Sequence, residues 1–186
     1  MGRIDRLAER YKSYIAFPWQ KDLAGAQRAI FIVYDKADER RLRARKDLFA
    51  LATRESGHSW LDCDLTKAFA EWMAGTEYRD SYFEFPEDLA LKLEDDFLEH
   101  IARRVREVLR RPEADDNSVI GIHGIASLFG FIRVSELLKK IEQDVKGRVV
   151  VFFPGEHEDG NYRLLDARDG WNYLAVPITL QGYTEA

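Results

Sequence analysis

The stretch Ala29-Ile30-Phe31-Ile32-Val33-Tyr34 decides the fold. Six consecutive apolar residues without polar alternation read as a strand covered on both faces, and such strands belong to parallel sheets flanked by helices. Val149 to Phe153 (VVVFF) and Val119 to Ile125 (VIGIHGI) repeat the pattern, and Trp60 to Leu65 carries it more weakly. The segments between them have helical periodicity. Asp38 opens a charged helix that Gly57 closes, and Thr66 is expected to cap a short helix carrying Phe69, Trp72 and Met73 that ends at Gly75. Pro86 leads into a long helix with Leu89, Leu93, Phe97, Ile101, Val105 and Leu109 on one face, stopped by Pro112. Ser135 begins another, expected to end at Gly147. At the N-terminal end, Ile4, Leu7, Ala8, Tyr11 and Ile15 make residues 3–16 an amphipathic helix that stops before Pro18.

Strands alternating with helices through short links predict an α/β fold: a three-layer α/β/α domain with a mostly parallel sheet, Rossmann-like or P-loop-like without a P-loop. In the tail, Tyr162 to Asp166 and Tyr173 to Thr179 read as strands joined through the turn-forming Asp169-Gly170, and they are expected to add an antiparallel C-terminal edge. An aromatic-rich connection (Tyr78, Tyr82, Phe83, Phe85) precedes the long helix. No internal repeat or linker divides the chain, so a single domain over residues 1–186 is expected.

Composition narrows the function classes. The 186 residues are 46% hydrophobic and 33% charged, enough for a core without disulfide staples. The one cysteine, Cys63, suits a reducing compartment. The first residues are charged from the outset and lack the apolar core of a signal peptide, and no run of about 18 apolar residues occurs, so a cytoplasmic protein is expected. Net charge is −5. The basic stretches Arg40 to Lys46 and Arg103-Arg104 lie beside acidic residues, so direct nucleic-acid contact by the chain alone is not expected.

Parallel sheets present ligands beyond the carboxyl ends of their strands, but the loops there lack the usual motifs. Asp35-Lys36-Ala37-Asp38 follows the first strand where a glycine loop would cradle phosphate, and neither G-x-x-x-x-G-K-[ST] nor G-x-G-x-x-G occurs. Ser127 lacks the glycines of a nucleophile elbow, and a Ser127/His123 pair has the plainer reading of a core histidine. His58, His100, His123 and His157 are scattered without H-E-x-x-H spacing, and Cys63 has no C-x-x-C companion, so neither a metal nor another cofactor is expected. Carboxylates remain. Asp62 and Asp64 flank Cys63 and share one strand face, and Glu156, Glu158, Asp166 and Asp169 crowd the tail loops. Such residues serve as helix caps and turn formers, or hold Mg²⁺ in a phosphatase or nuclease, so an enzyme acting on nucleotides or nucleic acid stays open as the second reading.

One block is distinctive beyond packing: Arg148-Val149-Val150-Val151-Phe152-Phe153-Pro154-Gly155-Glu156, followed by Asn161-Tyr162-Arg163-Leu164-Leu165-Asp166-Ala167-Arg168-Asp169-Gly170-Trp171-Asn172-Tyr173-Leu174-Ala175-Val176-Pro177-Ile178. Together with Gly25-Ala26-Gln27-Arg28, Asp38-Glu39-Arg40-Arg41, Ser127-Leu128-Phe129-Gly130 and Arg133-Val134-Ser135, it resembles the BrxB family of bacterial BREX (bacteriophage exclusion) phage-defence systems. The resemblance implies a component of an assembly that marks host DNA by methylation and blocks phage replication. The companions it implies are a PglZ protein of alkaline-phosphatase fold, a large ATPase called BrxC and the methyltransferase PglX. An adaptor or scaffold role follows, with no catalytic residue to carry over.

For partner contact the candidates are Glu156, displayed where Pro154-Gly155 ends a strand, and Arg168, Asp169 and Trp171, projected from a hairpin, since Arg and Trp anchor interfaces. The alternative is an internal turn of Asp166, Arg168 and Asp169 over a packed Trp171. Arg41 and Arg45 on the basic helix complete the candidate set.

Overall fold

The computed structural model describes residues 1–167 and 170–180. Among the described residues seven strands form the sheet: β1 (Ala29–Tyr34), β2 (Ser59–Asp64), β3 (Ser118–His123), β4 (Arg148–Glu158), β5 (Asn161–Leu164), β6 (Trp171–Asn172) and β7 (Val176–Ile178). The main order is β2-β3-β4-β1-β7, and every neighbouring pair in it is parallel. All six residues of β1 are buried, as are the first eight of β4, which is the both-faces burial their continuous apolar runs predict.

Helices cover both faces. The helices α1 (Arg3–Ile15), α2 (Glu39–Arg45) and α3 (Asp47–Glu55) close one core around Ile30, Ile32, Val150 and Phe152. In that core the Thr53 hydroxyl donates to the Phe49 carbonyl at 2.8 Å, so the Tyr11 hydroxyl at 2.7 Å must be the donor to Thr53. The helices α4 (Ala68–Ala74), α7 (Leu98–Leu109) and α8 (Val134–Ile141) cover the opposite face, around Phe31, Ile122, Val151 and Phe153. Between α4 and α7 lie two short helices, α5 (Arg79–Glu84) and α6 (Pro86–Lys92). No helix among the described residues is long and apolar enough to cross a membrane.

Several boundaries differ from the sequence reading. The helix from Asp38 to Gly57 is broken at Lys46 into α2 and α3, and Gly57 sits beyond its end at φ +85°. Thr66 donates its backbone N–H to Asp64 instead of capping α4, whose N-cap is Lys67 without a side-chain bond. The long helix from Pro86 carries a π-helical turn over Leu93–Phe97, and α8 ends at Ile141, not Gly147.

The largest difference is in the tail. Pro154-Gly155 does not end β4, which runs on to Glu158, turns at Asp159-Gly160 and pairs antiparallel with β5. Both turn residues have positive φ, 49° and 80°, the geometry a two-residue hairpin needs. β5 then pairs antiparallel with β6, Tyr162 opposite Trp171. The tail therefore brings antiparallel pairing to the extension of β4, while the edge strand β7 joins β1 in parallel. The Asp169 half of the expected Asp169-Gly170 turn lies outside the described residues.

This hairpin folds over the sheet. Tyr162 is fully buried with its ring 4.6 Å from Phe31, and its hydroxyl donates to the Ala175 carbonyl at 3.0 Å. At the amino edge, the Arg148 guanidinium lies 4.7 Å over Trp19 and donates to the Gln20 carbonyl at 2.9 Å, and Trp19 stacks on His58 at 3.8 Å. That stack holds the loop after α1 against the start of β4.

At Gly155 the backbone of β5 leaves no room for a side chain on β4. A Cβ there would fall 2.0 Å from the Arg163 carbonyl oxygen and 3.0 Å from the Phe153 ring. Gly155→Ala should therefore destabilise the fold by about 1–3 kcal/mol, because neither neighbour is a flexible side-chain end. A urea titration followed by far-UV circular dichroism measures it, and a midpoint equal to that of the unaltered chain would show that the strands can part freely.

Candidate functional site

Two polar clusters stand at the carboxyl ends of the parallel strands, where such sheets bind ligands. The first is a cleft of about 160 Å³ between the ends of β1, β4 and β7. β1 runs into Asp35, whose side chain accepts the Ala37 N–H at 2.8 Å and starts a 3₁₀ turn over Lys36–Asp38. Asp38 is only 3% exposed, and it accepts from Arg41 Nη1 at 2.8 Å while Arg3 Nε stands 3.4 Å away. Lys36 is ion-paired with Asp166 across the cleft, and Glu156 on the rim lies 3.6 Å from Arg163. Below the turn, the Tyr34 hydroxyl donates to Glu39 at 2.5 Å. Burial, with the Glu39 carboxylate beside it, pushes the Tyr34 phenol well above its usual range and keeps it a neutral donor. Arg3, Lys36 and Arg41 each face a carboxylate of the cleft, so an incoming anion would have to break an existing pair.

The second cluster joins β2, β3 and the junction of α2 with α3. Asp62 and Asp64 share a strand face as their spacing predicts, and His123 stands opposite Asp64 in the register of β2 and β3. His123 Nδ1 is 3.5 Å from Asp64, and its Nε2 is 3.8 Å from Asp62 and 3.4 Å from Lys46 Nζ. Burial, chiefly, and the Lys46 cation lower the His123 pKa against the opposing pull of Asp64. For Asp64, burial alone would raise the pKa, but hydrogen bonds from Thr66 and the nearby His123 and Lys46 leave it lowered. Lys46 is what the sequence reading missed, because it was counted with the basic helix and its position at a helix break was not visible.

The other candidates are placed differently. The Ser127 hydroxyl donates to the Gly124 carbonyl at 2.6 Å and lies 3.1 Å from the Leu65 carbonyl, so its hydrogen is engaged by backbone and not by His123. Burial pushes the Cys63 thiol up to about 12, leaving it protonated at neutral pH. Among the described residues no three His, Cys, Asp or Glu side chains are arranged to hold a metal ion.

The candidate contact residues are scattered. Trp171 is half-buried, packed on Phe153 at 5.8 Å and Tyr162 at 5.4 Å. Arg45 is ion-paired with Asp5 on α1, Arg41 is exposed above Asp38, and Glu156 lies on the cleft rim. Arg168 and Asp169 lie outside the described residues.

The fold and this edge define a class: a mostly parallel α/β domain whose carboxyl edge carries ion-paired side chains in place of a phosphate-binding loop. The family model described as BREX protein BrxB matches residues 61–178, from β2 through β7, and the chain belongs to that family. Comparison with curated proteins and with solved structures finds no match. Family membership makes the chain a component of BREX phage defence.

His100, His123 and His157 all titrate below the ordinary imidazole value, chiefly because burial opposes the charged ring. The folded chain binds these protons less tightly than the unfolded chain does. Stability should therefore be full above about pH 6.5 and decline as pH falls through that value. Thermal melts between pH 5 and pH 8 check the trend. Lys46→Gln removes the cation beside His123 and should raise that ring's midpoint in an NMR titration; an unmoved midpoint would leave burial and Arg43 as the causes of the lowering.

Proposed function

We propose that the chain is a non-catalytic adaptor of the BREX assembly, bridging companions of the PglZ phosphatase-fold type, the BrxC ATPase type and, through them, the PglX methyltransferase. The observation that supports this reading is the state of the carboxyl edge. Its cations and carboxylates are engaged with one another in the first cleft, which suits a structural subunit better than one that takes up a phosphorylated substrate. Glu156 on the rim of that cleft and Arg41 above Asp38, with Arg45, Arg168, Asp169 and the half-buried Trp171, are assigned to partner contact.

A second reading, an enzyme acting on nucleotides or nucleic acid through carboxylates at the sheet edge, is favoured by one observation, the convergence of Asp62, Asp64, Lys46 and His123. The two readings separate experimentally. Co-expression of the tagged chain with the companions, followed by purification in moderate salt, should recover at least one of them stoichiometrically. Asp62→Asn should leave that recovery within about twofold, because the Asp62 side chain is half-exposed and a surface ion pair of this kind contributes only ~0–1 kcal/mol. Recovery of the chain alone, with Mg²⁺-dependent turnover of a generic phosphoester that Asp62→Asn abolishes, would replace the adaptor by the enzyme.

A further inference from the structure

We propose that residues 77–92 are a docking arm, and that its partner is a protein surface with an apolar groove rimmed by Lys and Arg. The inference rests on the adaptor reading and adds the surface and the chemistry of its partner. Of the sixteen residues from Glu77 to Lys92 only Tyr82 and Leu89 are even half-buried. Tyr78, Phe83, Phe85 and Leu91 are 63%, 68%, 52% and 82% exposed, four of the nine most exposed large apolar side chains among the described residues. They fall on α5 and α6 or immediately beside them, and neither helix buries a residue.

Burial of an apolar face is what normally stabilises a short helix in a protein. Helices of six and seven residues lie far below the roughly 12–15 at which an isolated helix is even marginal in water. The arm is anchored at its two ends. On one side, Thr76 at the end of α4 donates to the Trp72 carbonyl at 2.9 Å; on the other, the π turn delivers Phe97 into contact with Phe69, Trp72 and Phe131. Between these anchors Tyr78, Phe83 and Phe85 stay more than half exposed, and a second surface would supply what the helices lack.

Charge selects that surface. From Glu77 to Asp96 there are eight carboxylates and two cations, a local net charge of −6 in a chain whose total is −5. Both cations are paired locally, Arg79 at 3.2 Å from Asp80 and Lys92 at 3.2 Å from Asp96 just beyond the arm. Such a field repels nucleic-acid phosphate and the anionic headgroups of a membrane, which leaves a protein as the occupant. The aromatic side chains need an apolar floor, and the carboxylates around them match a basic rim.

The test uses the full chain co-expressed with each BREX companion. Phe83→Ser/Phe85→Ser/Leu91→Ser should reduce recovery of one companion at least tenfold while leaving the melting temperature unchanged, because the altered side chains are exposed. Glu84→Lys/Glu87→Lys/Asp88→Lys should weaken the same complex several-fold, and the unaltered complex should weaken as salt is raised. If the unaltered chain recovers a companion and the serine variant recovers it equally, the arm is not the dock and the adaptor reading stands. Loss with the serine variant but indifference to charge reversal would overturn the basic rim. Self-association of the unaltered chain that the serine variant abolishes would make a second copy the occupant. Recovery of no companion by the unaltered chain would remove the adaptor reading itself, and the arm with it.

Discussion

The parallel pairing of β1 with β4 is the constraint on which the other elements depend. Their register runs without interruption from Ala29 opposite Val149 to Tyr34 opposite Pro154. Neither strand has a polar side chain in the paired segment apart from the Tyr34 hydroxyl, so both faces must be covered, and the helical layers follow. Odd residues of β1, Phe31 and Val33, face α7 and α8 together with the hairpin; even residues, Ile30 and Ile32, face α1 and α3. A register slip of one residue would exchange these sets and place the Phe31 ring, which meets Phe153, Tyr162, Trp171 and Tyr173, in the wrong core. The same pairing brings the turn after β1 beside Gly155 and Glu156, which is what forms the cleft.

The central strands were legible because their signal is redundant: every residue in AIFIVY and VVVFF is apolar, so no choice of face was needed. The extension of β4 was not, because Pro154-Gly155 carries the ordinary composition of a turn. Here Pro154 stands at the last β1 pair, and its carbonyl accepts the Leu165 N–H at 2.9 Å as the strand passes to its new partner. The glycine is demanded by the crossing of β5, not by a turn. Two Asp-Gly dipeptides sat ten residues apart, and the one at Asp159 makes the β4–β5 hairpin, a distinction that local composition does not carry.

The candidate site was half legible for a related reason. That Asp62 and Asp64 share a face follows from the period of two in a strand. That His123 joins them depends on the β2–β3 register, and that Lys46 does depends on a helix break between two good helix-forming segments, neither of which leaves a mark on the sequence. Trp171 reads as an interface candidate because Trp is a common anchor type, whereas its contact with the Tyr162 ring follows from the β5–β6 pairing, which local composition does not carry. The aromatic run before the long helix was visible as a run, whereas its lack of cover is a property of the packed chain alone.

The molecule thus separates into regions with opposite relations to their own charges and apolar groups. In the parallel core, apolar side chains are buried, and in the cleft at its carboxyl edge cations face carboxylates, so an anionic ligand has little to gain there. In the segment from Glu77 to Lys92 aromatic groups lie uncovered and like charges crowd together, so nearly all the gain from covering it is still available. Elements with few buried contacts open first and are the ones that functional motions and binding draw upon. The anchors at Trp72 and Phe97 limit how far that segment can depart from the core when it does. Its order can therefore respond to what it meets without disturbing the β1–β4 pairing on which the fold depends.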